Sequence, residues 1–265
     1  MTQHKGIVVE DFEVVVGGAR LAARAITPRD CPHPWTTLVF LHEGLGSMAS
    51  WKGFPEALVR ATGLRAVLYD RRGYGRSEAL DAPWDRNYLR RYALEELPAV
   101  LDACSVEQPL LVGHSDGGSI ALIFAAHHPA AAVVCLAAHI FVEDAARQGI
   151  RRAVALWREG ELESRLRRIH GDKTETVFWS WADTWLAPWF DDWNIEDELA
   201  GIECPVLLLQ GDRDEYATPD HLNAIAKRLP GAATSVLLQG SGHAPHLQAP
   251  RAALEEVVRF ITSLA

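Results

Sequence analysis

Residues 109–122 read PLLVGHSDGGSIAL. An apolar run of strand length ends at His114, and a second apolar run of helical period begins at Asp116. Ser115 therefore sits on the sharp reversal between a strand and a helix. Gly113, Gly117 and Gly118 crowd around it, and small neighbours let a chain reverse without a Cβ clash. A plain surface turn needs only one or two glycines. The reversal lifts the Ser115 hydroxyl above the sheet, beside the positive end of the helix that follows. This is the G-x-S-x-G pattern of a nucleophile elbow, in the strand–turn–helix setting that a chance match lacks.

The same alternation extends both ways along the chain. Residues 7–16 and 20–27 are β-rich runs separated by Gly17–Gly18, which predicts a hairpin with a tight turn. Residues 36–42, 64–70, 109–114, 131–138, 204–212 and 233–240 are short continuous apolar runs, the mark of strands buried on both faces. Helical patterns at 50–62, 87–104, 116–128, 219–229 and 249–264 lie between and after them. The expected fold is α/β: a mostly parallel eight-stranded sheet with helices on both faces and a leading antiparallel hairpin. Such sheets carry their chemistry at the carboxyl ends of the strands. Residues 140–200 break the rhythm, with charge-rich helical segments, no clear strand and six of the nine tryptophans. They read as a helical cap inserted into a core domain made of 1–139 and 201–265.

Bulk properties narrow the function. A chain of 265 residues, 48% apolar and 23% charged, with a mean hydropathy of -0.04, is long enough to bury a large core. The net charge of -9 argues against nucleic acid as a partner. The densest basic run, Arg165, Arg167 and Arg168, alternates with apolar residues as a solvated helix face does. The first residues lack an apolar targeting core and no stretch approaches a membrane span, so a cytoplasmic protein without a membrane partner is expected. Cys31, Cys104, Cys135 and Cys204 are scattered, without metal or disulfide spacing. No metal and no cofactor are expected.

A serine nucleophile needs a base, and the base an orienting carboxylate. The strand ending near residue 211 offers Asp212 and Asp214, and the next strand offers His243 and His246. Their order along the chain, Ser then acid then His, is one that strand-end sites use. Glu143 and Asp144, after the run 131–138, are a second source of acid.

Five stretches then carry a resemblance to the α/β-hydrolase-fold superfamily: FLHEGLGS, YDRRGYGRSE, GHSDGG, GDRDEYATP and GSGHAPHLQAP. It covers essentially the whole chain. The resemblance implies Ser115 as nucleophile, His243 as base and Asp214 as its orienter, over His246 and Asp212. It also implies an oxyanion hole from the backbone N–H groups of Asp116 and Gly44. Here the chain departs from the commoner His-Gly-x-Gly pattern, because Glu43 replaces the first glycine. Glu43 is expected either to turn toward backbone amides or Arg71 or Arg72, or to meet substrate or water directly.

Among the inserted tryptophans, Trp157, Trp181 and Trp185 are candidate substrate contacts, since an aromatic wall suits an apolar acyl group. The expected activity is hydrolysis of a carboxylic ester or thioester of an apolar small molecule, aromatic ones included, through an acyl-enzyme. Carbon–carbon bond hydrolysis and lactone hydrolysis use the same residues and stay open, as does a small-molecule receptor on a hydrolase fold. The expected partner is a small-molecule substrate, and a homodimer is allowed.

Overall fold

Gly17 and Gly18 adopt φ of 56° and 81°, the left-handed pair that a two-residue hairpin turn requires. They join β2 (Ile7–Val16) to β3 (Ala19–Pro28) in full antiparallel register, Val16 opposite Ala19. The computed structural model describes all residues except 1, 5, 31–35, 82, 232 and 265. Cys31 and the proline-containing stretch from 31 to 34 thus lie outside the described residues.

Nine strands form one sheet in the order β1-β2-β3-β5-β4-β6-β7-β8-β9. They are the eight expected from sequence and a three-residue edge strand, β1 (Thr2–His4). The others are β4 (Thr36–Leu41), β5 (Arg65–Tyr69), β6 (Gln108–His114), β7 (Ala132–Leu136), β8 (Val206–Gly211) and β9 (Ala233–Leu238). From β5 to β9 every pairing is parallel. The crossovers are α1 (Phe54–Thr62), α2 (Tyr88–Arg91), α3 (Leu97–Ala103) and α4 (Asp116–His127). A π-helical turn, Tyr92–Glu96, links α2 to α3.

Two apolar layers follow from the period-two alternation of the strands. In β4, Leu38 and Phe40 join one layer while Val39 and Leu41 join the other; in β6, Leu110 and Val112 oppose Leu111. The first layer is covered by α1 and by the closing helix α10 (Pro250–Thr262), through Phe54, Leu58, Val257 and Phe260. Burying each such side chain contributes about 1.5–3 kcal/mol. The second layer is covered by α3 and α4, and α4 is buried from Asp116 to Ala125. That is why its sequence reads as one apolar block.

Between β7 and β8 lie α5 (Asp144–Arg158), α6 (Glu161–His170) and α7 (Thr174–Leu186). Among the described residues this stretch holds no strand, only a single bridge between Phe141 and Asn194. His170 ties the end of α6 to two loops: its Nδ1 accepts from Gly75 N–H at 2.9 Å, and its Nε2 donates to Leu45 O at 3.0 Å. Lys173 donates to the carbonyls of Tyr74 and Ser77. After β8 come α8 (Asp220–Arg228), α9 (Pro245–Gln248) and α10 (Pro250–Thr262). Among the described residues no helix is long and apolar enough to cross a membrane.

Candidate active site

Ser115 sits between β6 and α4 with φ 53° and ψ -119°. This left-handed conformation is costly for a residue with a Cβ and persists only where surroundings impose it. The imposition is visible: Ser115 N–H donates to Leu136 O at 2.9 Å, and Ser115 O accepts from Gly118 and Ser119 N–H. A Cβ on Gly113 would run into the backbone of Gly117, and one on Gly117 into Leu41 O. The glycines let α4 start hard against β4 and β6.

His243, in the loop between β9 and α9, places Nε2 2.9 Å from Ser115 Oγ. Its Nδ1 lies 2.8 and 3.0 Å from the two carboxylate oxygens of Asp214. Nδ1 must donate to that carboxylate, so Nε2 is left to accept the Ser115 proton. Burial works to raise the Asp214 carboxyl, but its bond to His243 and the N–H groups of Tyr216 and Ala217 hold it below the usual range. Burial works to lower His243, but its bond to Asp214 and the charges of Asp214, Glu215 and Glu43 outweigh it, so His243 sits above its ordinary value. Asp212 instead accepts from Gly240 N–H at 2.6 Å, stitching the two strand-end loops together. His246 is buried against Trp51, with ring centroids 4.7 Å apart.

Glu143 does not end a strand: β7 stops at Leu136, and Glu143 is the residue just before α5. Its carboxylate takes Thr218 N–H at 2.7 Å and faces His221 Nε2 at 3.0 Å. It is therefore committed to the loop beyond Asp214 rather than to His243.

The loop after β4 brings Gly44 beside the elbow. A Cβ on Gly44 would lie 2.7 Å from Trp181 Cδ1 and 3.1 Å from Asp116 Oδ2, so only glycine fits. The Asp116 carboxylate is buried and accepts Tyr88 OH at 3.0 Å; Tyr88 OH in turn accepts Trp185 Nε1 at 2.8 Å. Burial raises the Asp116 pKa and Arg71 opposes the rise. Of the partners weighed for Glu43, neither Arg71 nor Arg72 faces its carboxylate; His114 does, at 3.5 Å from Oε2 to Nδ1. Burial works to raise Glu43, yet His114 and His42 hold it well below the usual range. It occupies the space that a Cβ on Gly46 would need.

These groups open on a cavity of about 220 Å³. Its floor is Gly44, Ser115, Asp116 and His243, and its walls include Ile150, Trp181, Trp185 and Tyr216. Glu43 lines it too. Trp157 does not: it stacks on Phe178 with centroids 4.1 Å apart, inside the helical layer. Among the described residues no Lys or Arg lines the cavity, and no cluster of His, Cys, Asp and Glu has the arrangement to hold a metal.

The model of the alpha/beta hydrolase family matches residues 38–257. The chain belongs to that family. Epoxide hydrolase B of Mycobacterium tuberculosis is 37% identical over 112 residues, covering 42% of this chain and 30% of that protein. Serine hydrolase BPHL of Mus musculus is 30% identical over 191 residues, covering 69% of this chain and 64% of that protein. The chain thus matches from under a third to just under two thirds of the length of these two relatives. The solved 2-hydroxy-6-oxo-6-phenylhexa-2,4-dienoate hydrolase of Rhodococcus sp. superposes with a TM-score of 0.80 at 17% identity, covering 97% of this chain and 99% of that one. That likeness is one of fold.

In this member of the alpha/beta hydrolase family, sequence reasoning overlooked several groups at the site. His139 lines the cavity, bonds Tyr216 O at 3.2 Å and packs 5.5 Å from His243. Burial and neighbouring imidazoles push it down to about 3, so it stays neutral. Its place just past β7 was the available signal, since strand ends carry the chemistry. Tyr216, in the loop after β8, carried the same signal; Ile150 and Gln248, on helices α5 and α9, carry none.

Proposed function

We propose that this alpha/beta hydrolase cleaves a carboxylic ester or thioester of a small apolar, aromatic acid through an acyl-enzyme on Ser115. The hydrogen-bonded line from Ser115 Oγ through His243 to Asp214, opening on a cavity walled by Trp181 and Trp185, carries the reading. Ser115 Oγ attacks the acyl carbon while its proton passes to His243 Nε2. The N–H groups of Gly44 and Asp116 take the developing oxyanion. The tetrahedral species collapses, and His243 returns the proton to the departing alkoxide or thiolate. Water, deprotonated by the same nitrogen, then releases the acid. Asp214 keeps the proton of His243 on Nδ1 throughout.

Helices α5 to α7 serve as a cap, contributing Ile150, Trp181 and Trp185 to the cavity. The lack of a lining Lys or Arg among the described residues disfavours a carboxylate substrate such as a dienoate, so ester and thioester cleavage is preferred to carbon–carbon hydrolysis. A fluorophosphonate probe read by intact mass tests the mechanism. One adduct on the wild type and none on Ser115→Ala supports it, and would justify a panel of aryl esters and thioesters. An unlabelled, well-folded wild type would instead favour a receptor that keeps the fold without turnover.

A further inference from the structure

Three donors converge on the carbonyl oxygen of Glu43: His42 Nδ1 at 2.8 Å, Arg71 Nη2 at 3.0 Å and Gly46 N–H at 3.2 Å. A carbonyl has two lone pairs, so this one is saturated. The His42 tautomer is settled by Arg71 N–H, which donates to His42 Nε2 at 3.2 Å. Burial and the Arg71 charge keep that ring neutral. Arg71 is wholly buried, gives a second guanidinium N–H to His42 O, and lies 4.7 and 5.2 Å from the ring centroids of Tyr74 and Tyr92. Its fork thus spans two successive carbonyls of the loop.

The peptide joining Glu43 to Gly44 is trans, so its C=O and N–H point in opposite directions. Holding the carbonyl toward Arg71 aims the Gly44 N–H the other way. Hydrogen bonds to a carbonyl from a permanent cation also polarise the amide and strengthen its N–H as a donor. Arg71 itself does not line the cavity. Its guanidinium is therefore free of substrate, and both terminal nitrogens, Nη1 and Nη2, are given to the loop.

We propose that Arg71 is a positioning residue for hydrolysis: it presents the Gly44 N–H to the oxyanion, already aimed and polarised. The inference rests on reading Gly44 and Asp116 as the oxyanion donors. A lysine cannot replace Arg71, because one ammonium does not reproduce a planar fork across two carbonyls.

The first measurement uses ¹⁵N- and ¹³C-labelled wild type with an aryl boronic acid, whose Ser115 adduct carries an oxygen in place of the oxyanion. The Gly44 and Asp116 amide protons should both move downfield. If neither moves although the adduct forms, the oxyanion reading itself fails. In the free protein the Glu43 carbonyl carbon should already be shifted downfield, and a random-coil value there overturns the role of Arg71 whatever the variants do. In Arg71→Lys and Arg71→Ala, kcat should fall about 10²-fold. KM should stay within about threefold, as for an interaction made only in the transition state. Boronic acid affinity should fall with kcat, the Gly44 shift should shrink while that of Asp116 persists, and methylguanidinium should restore part of the activity of Arg71→Ala. Unchanged kcat and boronic acid affinity in folded Arg71→Lys, or a loss confined to KM, overturns the proposal. Should Arg71→Ala not fold, Arg71→Lys carries the test.

Discussion

At the scale of single residues the site is a set of protonation states imposed by neighbours. Asp214 holds His243 above its ordinary pKa while leaving Nε2 free to accept. Only neutral His243 can act as a base, so kcat/KM should rise with pH through an apparent pKa above 6.5. In Asp214→Asn the largest raising contribution is lost while burial remains, so that limb should move to lower pH while kcat falls about 10⁴-fold. A pH–rate series on both proteins checks the pair, and an unmoved acid limb would remove His243 from the role. Ser115→Ala should lower kcat by about 10⁶-fold with the fold intact, read by ester turnover beside circular dichroism. His139 and His246, both held down to about 3 by burial, should contribute no limb above pH 5.

At the scale of elements, glycines set how closely helices approach the strand ends. Gly149 on α5 faces Tyr216, where a Cβ would lie 2.5 Å from Cδ1 and 3.0 Å from Glu215 O. Gly149→Leu should push back the loop that carries Asp214. A displacement of about 1 Å at a catalytic group costs on the order of 10²-fold in rate. Comparing kcat with the urea midpoint of the same variant separates that effect from plain unfolding. His170→Ala removes two hydrogen bonds that tie α6 to the loops after β4 and β5. The expected loss is about 1–3 kcal/mol, since each net bond contributes about 0.5–1.5 kcal/mol, measurable by denaturant titration. Its effect on KM should exceed that on kcat, because the catalytic line does not pass through it.

At the scale of the whole molecule, pH enters stability through Glu96, in the π-helical turn before α3. Burial raises its carboxyl to about 7, against partial opposition from Arg72 N–H and Arg71. Between pH 4.5 and 7 the unfolded chain releases this proton before the folded one does. The folded state then binds more protons, so stability falls as pH rises through that window. Glu96→Gln keeps an acceptor for Arg72 N–H and removes the charge. It should raise Tm at pH 8 by about 3 °C, the shift that 1 kcal/mol gives in a protein of this size, with little change at pH 4. Scanning calorimetry at the two pH values decides it.

What the sequence determined by itself is what local rules encode. Apolar runs of strand length, the Gly17–Gly18 turn and the glycines around Ser115 each state a backbone requirement, and together they specify the parallel sheet and the strained serine. The candidate site lay at predictable strand ends, so Ser115, Asp214 and His243 could be named once a family pattern chose between neighbours. Tertiary structure alone decided the rest. Whether a given tryptophan faces the cavity or a neighbouring helix depends on how α5 and α7 pack, which put Trp181 in the wall and Trp157 against Phe178. Glu43 stays open between partners in the sequence because a carboxylate settles beside whichever polar group the fold brings near, and that neighbour is His114, 71 positions along the chain. Arg71 looked like an ordinary member of a glycine-rich loop. Only the register of β4 beside β5 places its guanidinium under the loop it grips.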